Sequence, residues 1–122
     1  MSTDTAKIRV LNSLLFVRDP KTNDLPEIDG LRSVWSTPSC VAMSCRPDSE
    51  GVTTVTLNSR LALTDNDKLL FDGWIQTPSR TVIVEDVLAK PILSTRVSSA
   101  MTRLRAWTNG HPATDKVVVV LD

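Results

Sequence analysis

The sequence predicts an all-β protein: a single-domain antiparallel β-sandwich of about eight strands that takes up residues 1–122. The first observation is the abundance of side chains that favour strands, with fourteen Val, five Ile and fourteen Thr. The second is that seven Pro and four Gly divide these residues into short runs, as turns between short strands do. The third is the length of 122 residues, which fits one compact domain. Residues 1–6 are polar and are expected to form a flexible N-terminus.

The strands are predicted in order between the turn signals. They span Lys7–Arg18, Val34–Arg46, Val52–Arg60, Lys68–Gln76, Arg80–Val87, Pro91–Ser98, Thr102–Thr108 and Lys116–Leu121. In the third strand Val55 and Leu57 share one phase and are the core candidates. The run from Val117 to Leu121 is apolar on both faces, which predicts a central or doubly covered strand. The proline-rich, acidic stretch from Asp19 to Gly30 predicts a mobile surface loop.

One segment fits two structures. From Ser98 to Trp107, the residues Met101, Leu104 and Trp107 recur every three positions, which is compatible with a short helix. As a strand, the same segment turns Leu104 and Ala106 inward. We favour the strand, because the neighbouring segments are strands and short helices need tertiary support.

Composition restricts the class of function. Fourteen basic residues balance fourteen acidic ones and the pI is near 6.6, which argues against a nucleic-acid binder held by phosphate neutralisation. No apolar run is long enough for a transmembrane helix. The N-terminus lacks a basic region followed by an apolar stretch, so we expect no secretory signal, no membrane association and a cytoplasmic location.

The parts needed for common enzymatic chemistry are sparse. The single histidine, His111, lies in a predicted loop, and Cys40 and Cys45 would stand roughly 16 Å apart on one extended strand, too far for a disulfide. The sequence has no Gly-rich phosphate loop and no Cys-X-X-Cys spacing. The carboxylate pairs Asp65/Asp67 and Glu85/Asp86 are each too few for a metal site. We therefore expect no catalytic residue, no metal and no cofactor.

The basic residues form one ordered pattern. If Thr102–Thr108 is a strand, Arg103, Arg105 and Trp107 form a stripe on one face, with Arg96 approaching from a neighbouring strand. These four residues are the candidate partner-binding site, because Trp and Arg are enriched at protein interfaces. A nucleic-acid contact with base stacking, or a solvated face whose guanidinium groups stack on Trp107, fits the same pattern.

In its order of strand patterns the chain distantly resembles the DNA-entry nuclease inhibitors of bacterial competence, the competence protein J family. The resemblance is carried by Ile8–Val17, a Cys- and Ser-bearing strand, Val52–Ser59, Lys68–Ile75, Thr81–Val87, Leu93–Val97, Arg103–Thr108 and Val117–Leu121. It implies an all-β sandwich without catalytic activity that binds a nuclease and blocks it. The neutral charge departs from the acidic character that such inhibitors often have.

The functional hypothesis is therefore a non-enzymatic bacterial binding protein, nuclease-inhibitor-like, whose partner is a protein. A nucleic-acid partner is not expected, and a homo-oligomer stays open. The alternative hypothesis is a sandwich that binds a small molecule or carbohydrate, with Trp35, Trp74 and Trp107 as stacking surfaces. An enzyme that uses Cys40 or Cys45 is the third hypothesis.

Overall fold

The structure is a computed structural model that describes residues 4–30, 32–110 and 114–122. Within these ranges the chain forms ten strands: β1 (Asp4–Ile8), β2 (Leu14–Arg18), β3 (Val34–Thr37), β4 (Cys40–Ser44), β5 (Thr53–Leu57), β6 (Lys68–Gln76), β7 (Thr81–Glu85), β8 (Pro91–Arg96), β9 (Met101–Thr108) and β10 (Lys116–Leu121). Sheet A has the order β1-β5-β10-β9-β6, and sheet B has the order β3-β4-β2-β7-β8. All neighbouring strands run antiparallel except β5 and β10, which are parallel.

The all-β sandwich is confirmed, and two of the predicted strands are each divided in two. The predicted strand Lys7–Arg18 is interrupted by a 3-10 turn at Leu11–Ser13, where Asn12 and Ser13 have φ angles of 55° and 58°. At this turn the chain passes from sheet A to sheet B. Leu11–Ser13 contains no Gly or Pro, so no local turn signal predicts the interruption.

The second divided strand, Val34–Arg46, folds into a hairpin. Its turn at Pro38 and Ser39 pairs Thr37 with Cys40. The expected flexible N-terminus, residues 1–6, is corrected in part, because β1 already begins at Asp4 and pairs with β5. Residues 1–3 lie outside the described residues.

The core lies between the two sheets. Sheet B contributes side chains such as Leu15, Val17 and Met43, and sheet A contributes the predicted pair Val55 and Leu57. β10 is central, as predicted, since it lies between β5 and β9. Its residues are buried on both faces, which explains why the run is apolar in both phases.

The outer face of β10 is covered by the chain that connects β5 to β6. This crossing segment, residues 58–67, contains a 3-10 turn at Arg60–Ala62 that contacts β10. Lys116 fastens it, since its Nζ donates to the Ala62 carbonyl at 2.6 Å and to Asp67 Oδ2 at 2.7 Å. The segment thereby shields Val118 and Val120, which point away from the core and are nevertheless buried.

The acidic loop between β2 and β3 lies largely at the surface, as predicted, and hydrogen bonds hold both of its ends. Asp19 is fully buried and accepts hydrogen bonds from the backbone and hydroxyl of Ser79, both at 2.7 Å. Near the far end of the loop, Trp35 Nε1 donates to Asp29 Oδ1 at 2.9 Å. The loop thus lies beside a second, smaller apolar cluster on the outer face of sheet B, which includes Trp35.

Candidate functional site

The segment that fitted both a helix and a strand is strand β9, and it alternates between the core and the outer face of sheet A. Leu104 and Ala106 are fully buried, whereas Arg103, Arg105 and Trp107 lie on the outer face and are partly exposed. The preferred strand and its predicted facing are therefore confirmed. The structure brings three of the four candidate site residues onto one surface.

Each arginine of this stripe has an acidic partner from a different part of the chain. Arg103 makes a two-pronged contact with Asp72 of β6, with its Nε 2.9 Å from Oδ1 and its Nη2 2.8 Å from Oδ2. This hydrogen bond lowers the pKa of Asp72 below its ordinary value and raises that of Arg103. Arg105 pairs with Asp122, and its guanidinium carbon lies 6.0 Å from the centre of the Trp107 ring. Both arginines of the stripe are thus held by carboxylates, and Asp122 is shared with Arg60, whose Nη2 lies 3.5 Å from Oδ2.

Large apolar side chains stand exposed around these ion pairs. Trp74, opposite Arg103 in the β6–β9 register, is 59% exposed. Met101 at the start of β9 is 45% exposed, and Leu61 of the crossing segment is 97% exposed. We call this surface the Trp74 face; it comprises Leu61, Leu69, Asp72, Trp74, Met101, Arg103, Arg105 and Trp107.

The exposed members Leu61, Leu69 and Met101 were not among the sequence candidates. Trp74 was considered only as a stacking surface for a small ligand. The strand phase could have identified it. Trp74 lies two residues from both Asp72 and Gln76, so all three side chains are on the same polar, outward face of β6. Leu61 could not be placed from sequence, because its position depends on how residues 58–67 cross the sheet.

The fourth candidate, Arg96, does not join this face. It lies in β8, the edge strand of sheet B, whereas β9 belongs to sheet A. Its neighbour Thr95 is buried and its own side chain is exposed to solvent. Arg80 also lies away from this face, in the turn before β7, where its Nη1 donates to the Pro78 carbonyl at 2.9 Å.

The two cysteines are reduced and buried. Burial raises the pKa of Cys40 to about 12, with a smaller opposing effect of Arg18, and raises the pKa of Cys45 to about 11. At neutral pH both side chains are therefore thiols. Since the thiolate is the nucleophilic form, these positions do not have the electropositive, accessible surroundings of a reactive cysteine.

The acidic pairs noted in the sequence hold local structure together. Glu85 accepts a hydrogen bond from Arg18 Nε at 2.5 Å, and both side chains are largely buried. Asp86 accepts from the backbone N–H groups of Leu88 and Lys90 and closes the turn after β7. Asp67 accepts from Thr64 in the predicted turn.

Residues 4–30, 32–110 and 114–122 contain no group of three His, Cys, Asp or Glu side chains placed to hold a metal ion. His111 lies outside the described residues. In the same ranges there is no helix long and apolar enough to cross a membrane.

Comparisons with known proteins identify similar folds. No protein-family model and no curated protein sequence matches the chain. The chain is similar to ComJ, described as an inhibitor of the DNA-degrading activity of NucA from Bacillus subtilis. The TM-score is 0.68 at 12% identity, over 97% of this chain and 93% of ComJ. A protein described as crocagin biosynthetic gene J matches with a TM-score of 0.56 at 14% identity, over 99% of this chain and 97% of its own. The distant resemblance to the nuclease-inhibitor family is thus confirmed at the level of the fold.

Proposed function

We propose that this protein is a non-enzymatic binding protein that engages a partner nuclease through the Trp74 face and blocks it. The observation that carries the proposal is the exposure of Trp74 beside an arginine already held by Asp72. Trp, Met and Arg are side chains enriched at protein interfaces, and the Trp74 face contains all three.

The geometry of Arg103 favours protein recognition. Its guanidinium group is fixed by two parallel hydrogen bonds that it donates to Asp72, so little side-chain entropy is lost when a partner packs against it. Trp74 alongside supplies a large, rigid apolar surface. A rigid aromatic residue next to a preorganised arginine has the composition of an interface hot spot.

The same ion pairs disfavour a nucleic-acid ligand. Affinity for a phosphate backbone comes from cationic groups that displace counterions. Here Arg103 and Arg105 are each paired with a carboxylate, and the chain as a whole has no net charge. A partly apolar surface whose arginines are already held by carboxylates suits a protein partner better.

Two further observations support an inhibitory rather than a catalytic role. The raised pKa values of Cys40 and Cys45 keep the only thiols in their unreactive form. The structurally similar ComJ inhibits the nuclease NucA. We therefore take a nuclease as the class of partner, with cytoplasmic bacterial nucleases and NucA itself as the first to test.

The proposal is tested by titrating the purified protein into plasmid-degradation assays with NucA, and with nucleases retained from bacterial lysate by the immobilised protein. We expect inhibition near one-to-one stoichiometry. Trp74→Ala should weaken it about 30-fold or more, the effect of losing a hot spot worth ~2 kcal/mol. Leu25→Ala is the matched control, because Leu25 is similarly exposed but lies on the acidic loop.

Arg103→Ala and Arg96→Ala test how far the interface extends. We expect Arg103→Ala to weaken inhibition and Arg96→Ala to leave it unchanged, because Arg96 lies in the other sheet. The proposal is wrong if no nuclease is slowed at stoichiometric amounts of the protein, or if Trp74→Ala inhibits as well as the unaltered chain.

A further inference from the structure

A groove of about 400 Å³ opens on the side of the sandwich where β1 and β8 approach each other. These are the edge strands of sheets A and B, and they do not pair with each other. The space between them therefore leads from solvent toward the core. Its volume falls in the range of ~300–1,000 Å³ that small-molecule sites occupy.

Most of the groove lining is apolar. Ile8 of β1 and Ile92 of β8 are half-buried and pack against the core, so they form the inner wall. Leu11 and Leu88 are exposed, Leu88 by 72%, and stand at its mouth. A ligand in the groove would cover these two leucines and remove them from water, and the core would not have to rearrange.

Both lips of the groove are held in unusual backbone conformations. On the β1 side, Asn12 and Ser13 have positive φ angles directly after Leu11, and on the β8 side Ala89 has a φ of 60° directly after Leu88. These are three of the five non-glycine residues with positive φ in the described part of the chain. Backbone strain of this kind concentrates at binding sites.

The strained turn on the β8 side is also rigid. Asp86 Oδ1 accepts hydrogen bonds from the N–H groups of Leu88 and Lys90 at 2.9 and 3.1 Å, and the Ala89 N–H donates to the Asp86 carbonyl. The β7–β8 register shifts directly after this turn, at the bulge that contains Ile92. Bulges re-aim side chains and are common beside functional sites.

The charged groups at the groove are two cations and one carboxylate. Arg9 is anchored by a 2.6 Å hydrogen bond from Nη1 to the Asp48 carbonyl, which leaves its other N–H groups available. Within the described residues Lys90 has no ion-pair partner, and its side chain lines the groove. The Asp86 carboxylate is buried and engaged by the two backbone N–H groups. The accessible charge at the mouth is therefore positive.

From this geometry we propose that the groove binds a linear carboxylate with an apolar tail, of the fatty-acid class. The tail lies between β1 and β8 against Ile8 and Ile92, under Leu11 and Leu88. The carboxylate lies at the mouth, where Arg9 and Lys90 neutralise it. This site is distinct from the Trp74 face and does not depend on the proposed inhibition of a nuclease.

The test is isothermal titration of the full chain with butanoate, octanoate and dodecanoate, together with octanol and octylamine. Each buried methylene contributes ~0.8 kcal/mol, or about fourfold in affinity, until the groove is filled. Octanoate should therefore bind on the order of 100-fold more tightly than butanoate, and more tightly than octanol or octylamine. No binding of octanoate at millimolar concentration, or equal binding of octanoate and octylamine, would overturn the proposal.

Variants locate the site. Leu88→Ser should weaken octanoate binding about fivefold, whereas Leu61→Ser, which alters a more exposed leucine outside the groove, should leave it unchanged. Replacing Arg9 and Lys90 by Gln together should reduce octanoate affinity about fivefold and leave octanol affinity alone. If Leu61→Ser weakens binding as much as Leu88→Ser, the carboxylate binds elsewhere and the assignment of the groove is wrong.

Discussion

Lys116 ties the crossing segment to sheet A, and replacing it by Met should destabilise the fold substantially. Its ammonium group is 2.7 Å from Asp67 Oδ2. The Asp67 side chain is only 1% exposed, whereas that of Lys116 is 22% exposed. Without the ammonium group, the buried carboxylate would keep only its hydrogen bonds from Thr64. Uncompensated buried charges cost about 3–5 kcal/mol. Since the pair lies near the surface, we expect Lys116→Met to lower the free energy of unfolding by about 3 kcal/mol.

The pH dependence tests the reason for this loss. Burial raises the pKa of Asp67, but the hydrogen bonds from Lys116 and Thr64 outweigh it and hold the pKa below the ordinary value of 3.8. Because the pKa of Asp67 is lower in the folded state than in the unfolded state, the ionised carboxylate stabilises the fold fully at pH values above 3.8. This stabilisation is lost as the pH falls through the folded-state pKa. In Lys116→Met the pKa of Asp67 should instead lie above 3.8, so acid relieves the penalty. The difference in the free energy of unfolding between the variant and the parent should therefore become smaller as the pH is lowered from 7 to 4.

Urea unfolding followed by tryptophan fluorescence measures both effects. The control is the double variant Asp67→Asn with Lys116→Met, which leaves no charge behind and should recover most of the lost stability. A penalty below ~1 kcal/mol, or one that is the same at pH 7 and pH 4, would refute the account of a buried carboxylate held by Lys116.

Three other predictions concern stability and thiol chemistry. Native Cys40 and Cys45 should react with a thiol reagent at pH 8 far more slowly than in urea, because their pKa values are about 12 and 11; equal rates would contradict their burial. Gly51→Ala should cost about 2 kcal/mol in urea unfolding, because Gly51 has a φ of 133° and an added Cβ would lie 1.8 Å from Arg46 Nη2; no loss would mean that this turn relaxes freely. Asp19→Ala should cost about 3 kcal/mol by the same measurement, since it removes the buried carboxylate that accepts from the part-buried N–H and O–H groups of Ser79; a loss below ~1 kcal/mol would show that water replaces the carboxylate.

Much of the fold follows from side-chain periodicity. The phase of β5 and the two-sided apolar character of β10 specify an inner and a doubly covered strand, and the structure has both. Periodicity does not show where a strand is interrupted without Gly or Pro. In the turn at Leu11–Ser13, Asn12 and Ser13 have left-handed backbone conformations. The chain adopts them where it passes from one sheet to the other, which is a feature of the tertiary structure and not of the local sequence. The prediction therefore had too few strands but the correct class.

Only part of the candidate site could be predicted, because periodicity also does not show which residues pair across strands. Alternation along β9 places Arg103, Arg105 and Trp107 on one face, but it does not show which carboxylates lie opposite them. Asp72 is 31 residues from Arg103 in the sequence, and the β6–β9 register brings the two together. Arg96 was expected to approach the stripe from a neighbouring strand. The chain, however, changes sheets between β8 and β9, so closeness in sequence does not become closeness in space.

The two proposed surfaces lie at opposite edges of sheet A, so substitutions in one should not affect binding at the other. β1 lines the groove at one edge of the sheet, and β6 carries Trp74 at the other edge, with β5, β10 and β9 between them. At ~4.8 Å per strand these edges are about 19 Å apart. Substitutions separated by more than ~10 Å without shared partners generally act additively. Leu88→Ser and Trp74→Ala should therefore each affect only their own site, and their combination should show the sum of the two effects. Coupling between them would require the core between the sheets to shift when the groove is filled, so the double variant also measures how rigid the sandwich is.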